Sequence, residues 1–130
     1  MNKSTQVFIL VIFIVGNIVN VYAGEKKAFS EKQICKVGIA KIMGKNPSIV
    51  KVDRAKGKTV YLSYIRQNDK TKWEYKCKIE GNRIIWGTKD GRWRKHPMDS
   101  KVTFKVMGNS ITVTDTFNDS SASKETYTLE

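Results

Sequence analysis

The sequence predicts an α+β domain, with one N-terminal helix packed on an antiparallel β-meander of about seven strands. Three observations carry that expectation. Apolar residues recur at helical spacing in one segment only, Ser30 to Met43; from Ser48 onward they recur with a period of two; and Cys35 and Cys77 each fall on the apolar phase of their own segment. The strand number also leaves room for curling into a partial barrel.

The helix is marked at both ends. Ser30 can cap it, and Gln33 three residues on completes a capping box. Phe29 before the cap can pack on Ile34 as a hydrophobic staple. Ile34, Gly38 and Ile42, together with Cys35, Ile39 and Met43, make one apolar stripe, with Glu31, Lys32, Lys36 and Lys41 outside it. Gly44 supplies the stop, and Asn46-Pro47 prevents continuation.

The strands follow from alternation. Val60, Leu62 and Tyr64 alternate with Tyr61, Ser63 and Ile65; Trp73, Tyr75, Cys77 and Ile79 alternate with Glu74, Lys76, Lys78 and Glu80. Val102, Phe104 and Val106 form another apolar phase, as do Ile111, Val113 and Phe117, with Asp115 on that same phase. Tyr127 and Leu129 close the series, and Ile49 to Val52 and Ile84 to Trp86 are shorter candidates. One phase of each run must be buried and the other solvated. Lys56-Gly57, Asn68-Asp69, Gly81-Asn82, Asp90-Gly91 and Gly108-Asn109 fall between runs as turn signals. Short strands joined by short turns make a meander, and the helix stripe can be buried only against its sheet.

Residues 1–23 read as a secretory signal peptide. A short polar start holding Lys3 precedes the unbroken apolar run Val7 to Val15, and Val21-Tyr22-Ala23 offers a small-residue cleavage site. Val7 to Ala23 would be a short membrane anchor, but Gly16, Asn17 and Asn20 interrupt it, so no transmembrane span is expected after cleavage. Residues 24–130 then form a single domain of 107 residues, exported to a periplasmic or secreted location. In an oxidising compartment Cys35 and Cys77 read as a disulfide joining helix to sheet. A reactive pair is the rival reading, and the 42-residue separation opposes it.

The whole chain carries 24 Lys and Arg against 12 Asp and Glu. Only Lys3 leaves with the signal, so the mature form keeps a net charge of +11. An anionic partner is implied. Outside the cytoplasm nucleic acid is unlikely, and the candidates are an anionic envelope polymer, a lipid headgroup or an acidic protein. The sign of the charge also opposes inhibition of lysozymes, which are commonly basic.

The densest local feature is Lys89 to His96. Arg92, Arg94, Lys95 and His96 are the candidate anion-binding residues. Arginine's planar fork suits phosphate or carboxylate oxygens, and a histidine adds a contact whose charge changes near neutrality. Trp93 and Trp86 are the candidate apolar anchors, with core filling the stronger expectation for Trp93. If Gly91 to Arg94 is extended, Arg92 and Arg94 share one face and Trp93 takes the other. Lys76, Lys78, Lys101 and Lys105 form a second basic stripe on the solvent phase.

No catalytic constellation stands out. His96 is the chain's one histidine, which excludes a multi-histidine metal site, and no cofactor motif is present. Ser100, Asp99 and His96 are neighbours in sequence but lack a nucleophile elbow. The expected function is an exported, non-enzymatic binding module. A small hydrolase-like enzyme with a site assembled across the sheet and a structural or assembly protein of the envelope are the alternatives.

Overall fold

The computed structural model describes residues 29–129. The signal peptide read from residues 1–23, and the start of the domain at residues 24–28, lie outside the described residues.

One helix, α1 (Glu31–Met43), is followed by a 3-10 turn (Pro47–Ile49) and seven strands: β1 (Lys51–Lys56), β2 (Thr59–Ile65), β3 (Lys72–Glu80), β4 (Arg83–Thr88), β5 (Lys101–Met107), β6 (Ser110–Thr116) and β7 (Ala122–Thr128). The strands form one antiparallel sheet in the order β1 to β7, so the α+β meander read from the alternation is the fold. β1 and β7 are its two edges, and it is not closed into a barrel.

The helix begins as the capping box requires. Ser30 Oγ accepts from the Gln33 N–H at 3.2 Å, and Gln33 Oε1 accepts from the Ser30 N–H at 2.8 Å. Gly44 ends the helix at φ 64°, a left-handed conformation that glycine adopts without Cβ strain. Phe29 and Ile34, the staple pair, are both buried in the core.

The helix packs on one face of the sheet, contacting β1 to β4 and β6. Val60, Leu62, Tyr75, Ile84, Val102, Ile111 and Val113 meet Cys35, Ile39 and Ala40 there. Gly38 permits a close approach to β4, since a Cβ on it would lie 2.8 Å from Ile84 Cδ1. Cys35 and Cys77 are bridged across this interface, with Cα atoms 5.8 Å apart and both residues fully buried. The disulfide is compatible with an oxidising compartment. Among the described residues no helix is long and apolar enough to cross a membrane.

Two features depart from the expected short-turn meander with Trp93 in its core. β4 and β5 are joined by a long connection, residues 89–100, and pair only through Arg83↔Thr103 and Ile84↔Val102. Beyond Ile84 the open flank of β4 takes the connection instead, with the Arg94 N–H donating to Trp86 O at 2.8 Å. Trp93 is half-buried, but on the side of the sheet opposite the helix. The helix and disulfide already fill the inner face, so the indole covers the outer one.

Candidate functional site

Directly paired residues of neighbouring strands share a face, so the registers assign each paired strand side chain to the helix-covered face or the outer face, Asp53 in the β1 bulge excepted. The outer face collects the polar phases. β1 contributes Lys51, Arg54 and Lys56, through pairing with Ser63, Tyr61 and Thr59. β3 contributes Lys72, Lys76 and Lys78. Arg83 joins them from β4, Lys101 and Lys105 from β5, and Lys124 from β7. Ten cations therefore share this face with two register-paired carboxylates, Glu74 and Glu80, while Asp53, in the β1 bulge, borders it beside Lys51, Ser63 and Lys72. Both register-paired carboxylates are already engaged: Glu74 with Lys89 at 3.5 Å, and Glu80 with Lys78 at 3.5 Å and Lys95 at 3.2 Å. Seven strands at about 4.8 Å spacing spread the uncompensated charge over roughly 30 Å.

Aromatic planes sit among these cations. The Arg54 guanidinium lies 4.1 Å from the Tyr61 ring centroid. Lys76 and Lys78 place their ammonium groups 4.6 and 4.4 Å from the Trp93 centroid. Ring faces attract such cations, and the lysine stems support the indole from the sheet. Trp93 is held there by its own backbone. Lys76 Nζ donates to Gly91 O at 2.6 Å. Gly87 lets the connection pass over β4, because a Cβ on it would lie 2.4 Å from Arg92 O.

The loop residues singled out in the sequence are brought together, but around a carboxylate of their own. Asp99 accepts from both Arg92 Nη atoms at 2.8 Å and from the His96 backbone N–H at 3.0 Å. Arg94 Nη1 lies 3.7 Å away. These donors, Arg92 first, hold the Asp99 carboxyl down at about 2. Lys95 is drawn to Glu80, and Arg94 stacks over Trp86 at 4.9 Å. Arg92 and Arg94 therefore share a side, opposite Trp93, as an extended segment requires. The Arg92 fork is already filled by Asp99, so the uncompensated charge lies on the sheet face instead.

The same geometry dissolves the serine constellation. Asp99 bonds the His96 main chain and not its ring, while His96 Nδ1 accepts from the Met98 N–H at 3.1 Å. Among the described residues the imidazole thus has no orienting carboxylate and no serine on it. Among the described residues no cluster of three His, Cys, Asp or Glu side chains is placed to hold a metal ion. A cavity of about 560 Å³ opens between the helix and β7, lined by Phe29, Val37, Pro47, Tyr127 and Leu129 among others. None of the outer-face cations or of the residues around Asp99 lines it.

Lys51, Arg54, Lys56, Tyr61, Lys72, Arg83 and Lys124 were not singled out as site residues in the sequence, and Asp99 was named only in the serine constellation and not as a clamp on Arg92. All but Asp99 lie on a polar strand phase, and carrying the phase of Lys76 and Lys78 across the neighbouring runs recovers them. Asp99 carries no such signal, since its partner Arg92 meets it only through the path of the connection.

No protein-family model matches this chain, and neither a curated protein nor a solved structure matches it.

Proposed function

We propose that this chain is an exported, non-enzymatic binding module that holds an anionic partner on the outer face of its sheet. One observation carries the reading: ten cations share that face with two register-paired carboxylates, both already engaged, and Asp53 at the β1 bulge leaves the excess strongly positive. Such a one-signed face raises the local concentration of an anionic ligand. The aromatic planes of Tyr61 and Trp93 add apolar contact within it. The disulfide and the signal-like N-terminal sequence support export, and the charge then meets envelope polymers, lipid headgroups or acidic proteins.

Binding to soluble polyphosphate, followed by fluorescence anisotropy over a salt series, tests this. Lys101→Glu/Lys105→Glu alters the outer face, and Lys32→Glu/Lys36→Glu makes the same change in net charge on the helix. The first pair is expected to lower affinity about tenfold and the second far less, because charges beyond a Debye length of about 8–10 Å are screened. Equal losses from the two pairs would refute the site.

A further inference from the structure

We infer that the free edge of β7, with the groove between it and the helix, takes an extended acidic segment of a partner protein as an eighth strand. The inference adds a second surface to the outer-face reading and does not depend on it.

The two edges of the sheet differ. β1 is interrupted by a bulge between Val52 and Arg54 and carries Lys51, Asp53, Arg54 and Lys56. Bulges and charges of this kind block edge-to-edge pairing. β7 has no bulge and no proline, and its register with β6 runs unbroken from Ala122 to Thr128. The Leu129 N–H donates to Asn109 O at 2.8 Å, so Thr128 and Ser110 face each other without exchanging main-chain bonds. The alternation of an antiparallel ladder then turns the N–H and C=O groups of Thr128, Thr126, Lys124 and Ala122 away from β6. Among the described residues no main chain meets them.

The groove runs along that edge. Thr126 and Thr128 line the cavity of about 560 Å³ together with Tyr127 and Leu129, so both phases of the strand reach it. A second cavity of about 450 Å³ continues it past Glu125, sharing Asn46, Pro47 and Tyr127. An open strand edge beside a groove suits an added strand: main-chain bonds hold it, and pockets select alternate side chains. The inward phase of that strand meets Phe29, Val37 and Tyr127, which calls for apolar residues. The charge of the partner follows from Lys36, Lys41 and Lys45, which border the groove with one carboxylate, Glu125. Like charge disfavours a second copy of this basic chain. It also disfavours the chain's own residues 24–28, Gly-Glu-Lys-Lys-Ala.

The probe is a fluorescein-labelled peptide of alternating glutamate and valine, matched in length to β7 and followed by anisotropy beside polyphosphate. Thr126→Pro removes one outward N–H and sets its ring against an incoming strand, while costing β7 no bond to β6. It should lower peptide affinity about tenfold and leave polyphosphate binding as in the parent. The same peptide N-methylated on alternate residues should lose as much against the parent itself, a result that does not depend on the folding of the proline variant. Lys36→Glu/Lys41→Glu should weaken the glutamate peptide and favour its lysine counterpart. If the parent binds no peptide, or binds the N-methylated and unmodified peptides equally, the edge assignment is overturned, while retained polyphosphate binding leaves the outer-face reading standing. If the parent binds the lysine and glutamate peptides alike, or if light scattering shows a dimer that Thr126→Pro dissolves, the acidic partner is overturned.

Discussion

Gly87→Ala is the sharpest test of how the outer face is built. The new Cβ would lie 2.4 Å from Arg92 O, a backbone atom, so no side-chain rotation relieves the contact. The connection must lift away from β4. Lifting removes the Lys76 bond to Gly91 O and the Arg94 N–H bond to Trp86 O, each worth about 1 kcal/mol net. It also removes the two lysine contacts to Trp93, each about 0.5–1 kcal/mol. Against a total near 3 kcal/mol stands a gain of about 0.5–1 kcal/mol from replacing glycine in the unfolded chain. The net loss is about 2 kcal/mol, or roughly 10 °C in Tm for a domain of this size. Thermal unfolding followed by circular dichroism reads it. Trypsin provides a second readout, because lifting frees the backbone at Arg92, Arg94 and Lys95, whose side chains are already exposed. Gly38→Ala is the contrast: its Cβ would meet side-chain atoms of the buried Ile84, 2.8 Å from Cδ1 and 3.2 Å from Cγ2, so it strains the helix–sheet packing but leaves the connection and its trypsin resistance unchanged. A Gly87→Ala protein within about 2 °C of its parent and equally resistant to trypsin would refute the close-approach reasoning.

Cys35→Ala/Cys77→Ala should lower unfolding free energy by about 4 kcal/mol, the chain-entropy value for this loop; an unchanged denaturation midpoint would contradict it. The Asp99 clamp should open in acid. Its carboxyl is held at about 2 against 3.8 for a free aspartate, so the stabilisation is complete above 3.8 and is lost as pH falls through about 2. Tryptophan fluorescence should report that opening in the parent, while Asp99→Asn should show the opened spectrum already at neutral pH. Asp115 is buried, with Oδ1 unpartnered, and pairs directly with Val102. Asp115→Val should therefore raise stability by about 1 kcal/mol or more, and a fall in Tm would reveal a polar partner for this carboxylate.

Where sequence and structure agree, the cause is local. Ser30 and Gln33 cap the helix because three residues separate them, and Gly44 ends it because its own backbone tolerates a positive φ. Where they part, the cause is distance. Trp93 has the composition of a core residue, yet the inner face is filled by Cys35, Ile39 and the bridge to Cys77 before the connection arrives. Arg92 and Arg94 read as free anion ligands because nothing in their spacing reveals that Asp99 folds back under them.

The sequence by itself determined the helix, the alternating phase of five strands and the cysteine pair, and marked β1 and β4 only as short candidates, at Ile49 to Val52 and Ile84 to Trp86. These follow from periodicity and capping, which act over a few residues. Only the tertiary structure decided which cations remain uncompensated, because charge pairing depends on distance in space. It set Glu80 beside Lys95 and Asp99 beside Arg92, and aligned the lysines of separate strands on one face by register.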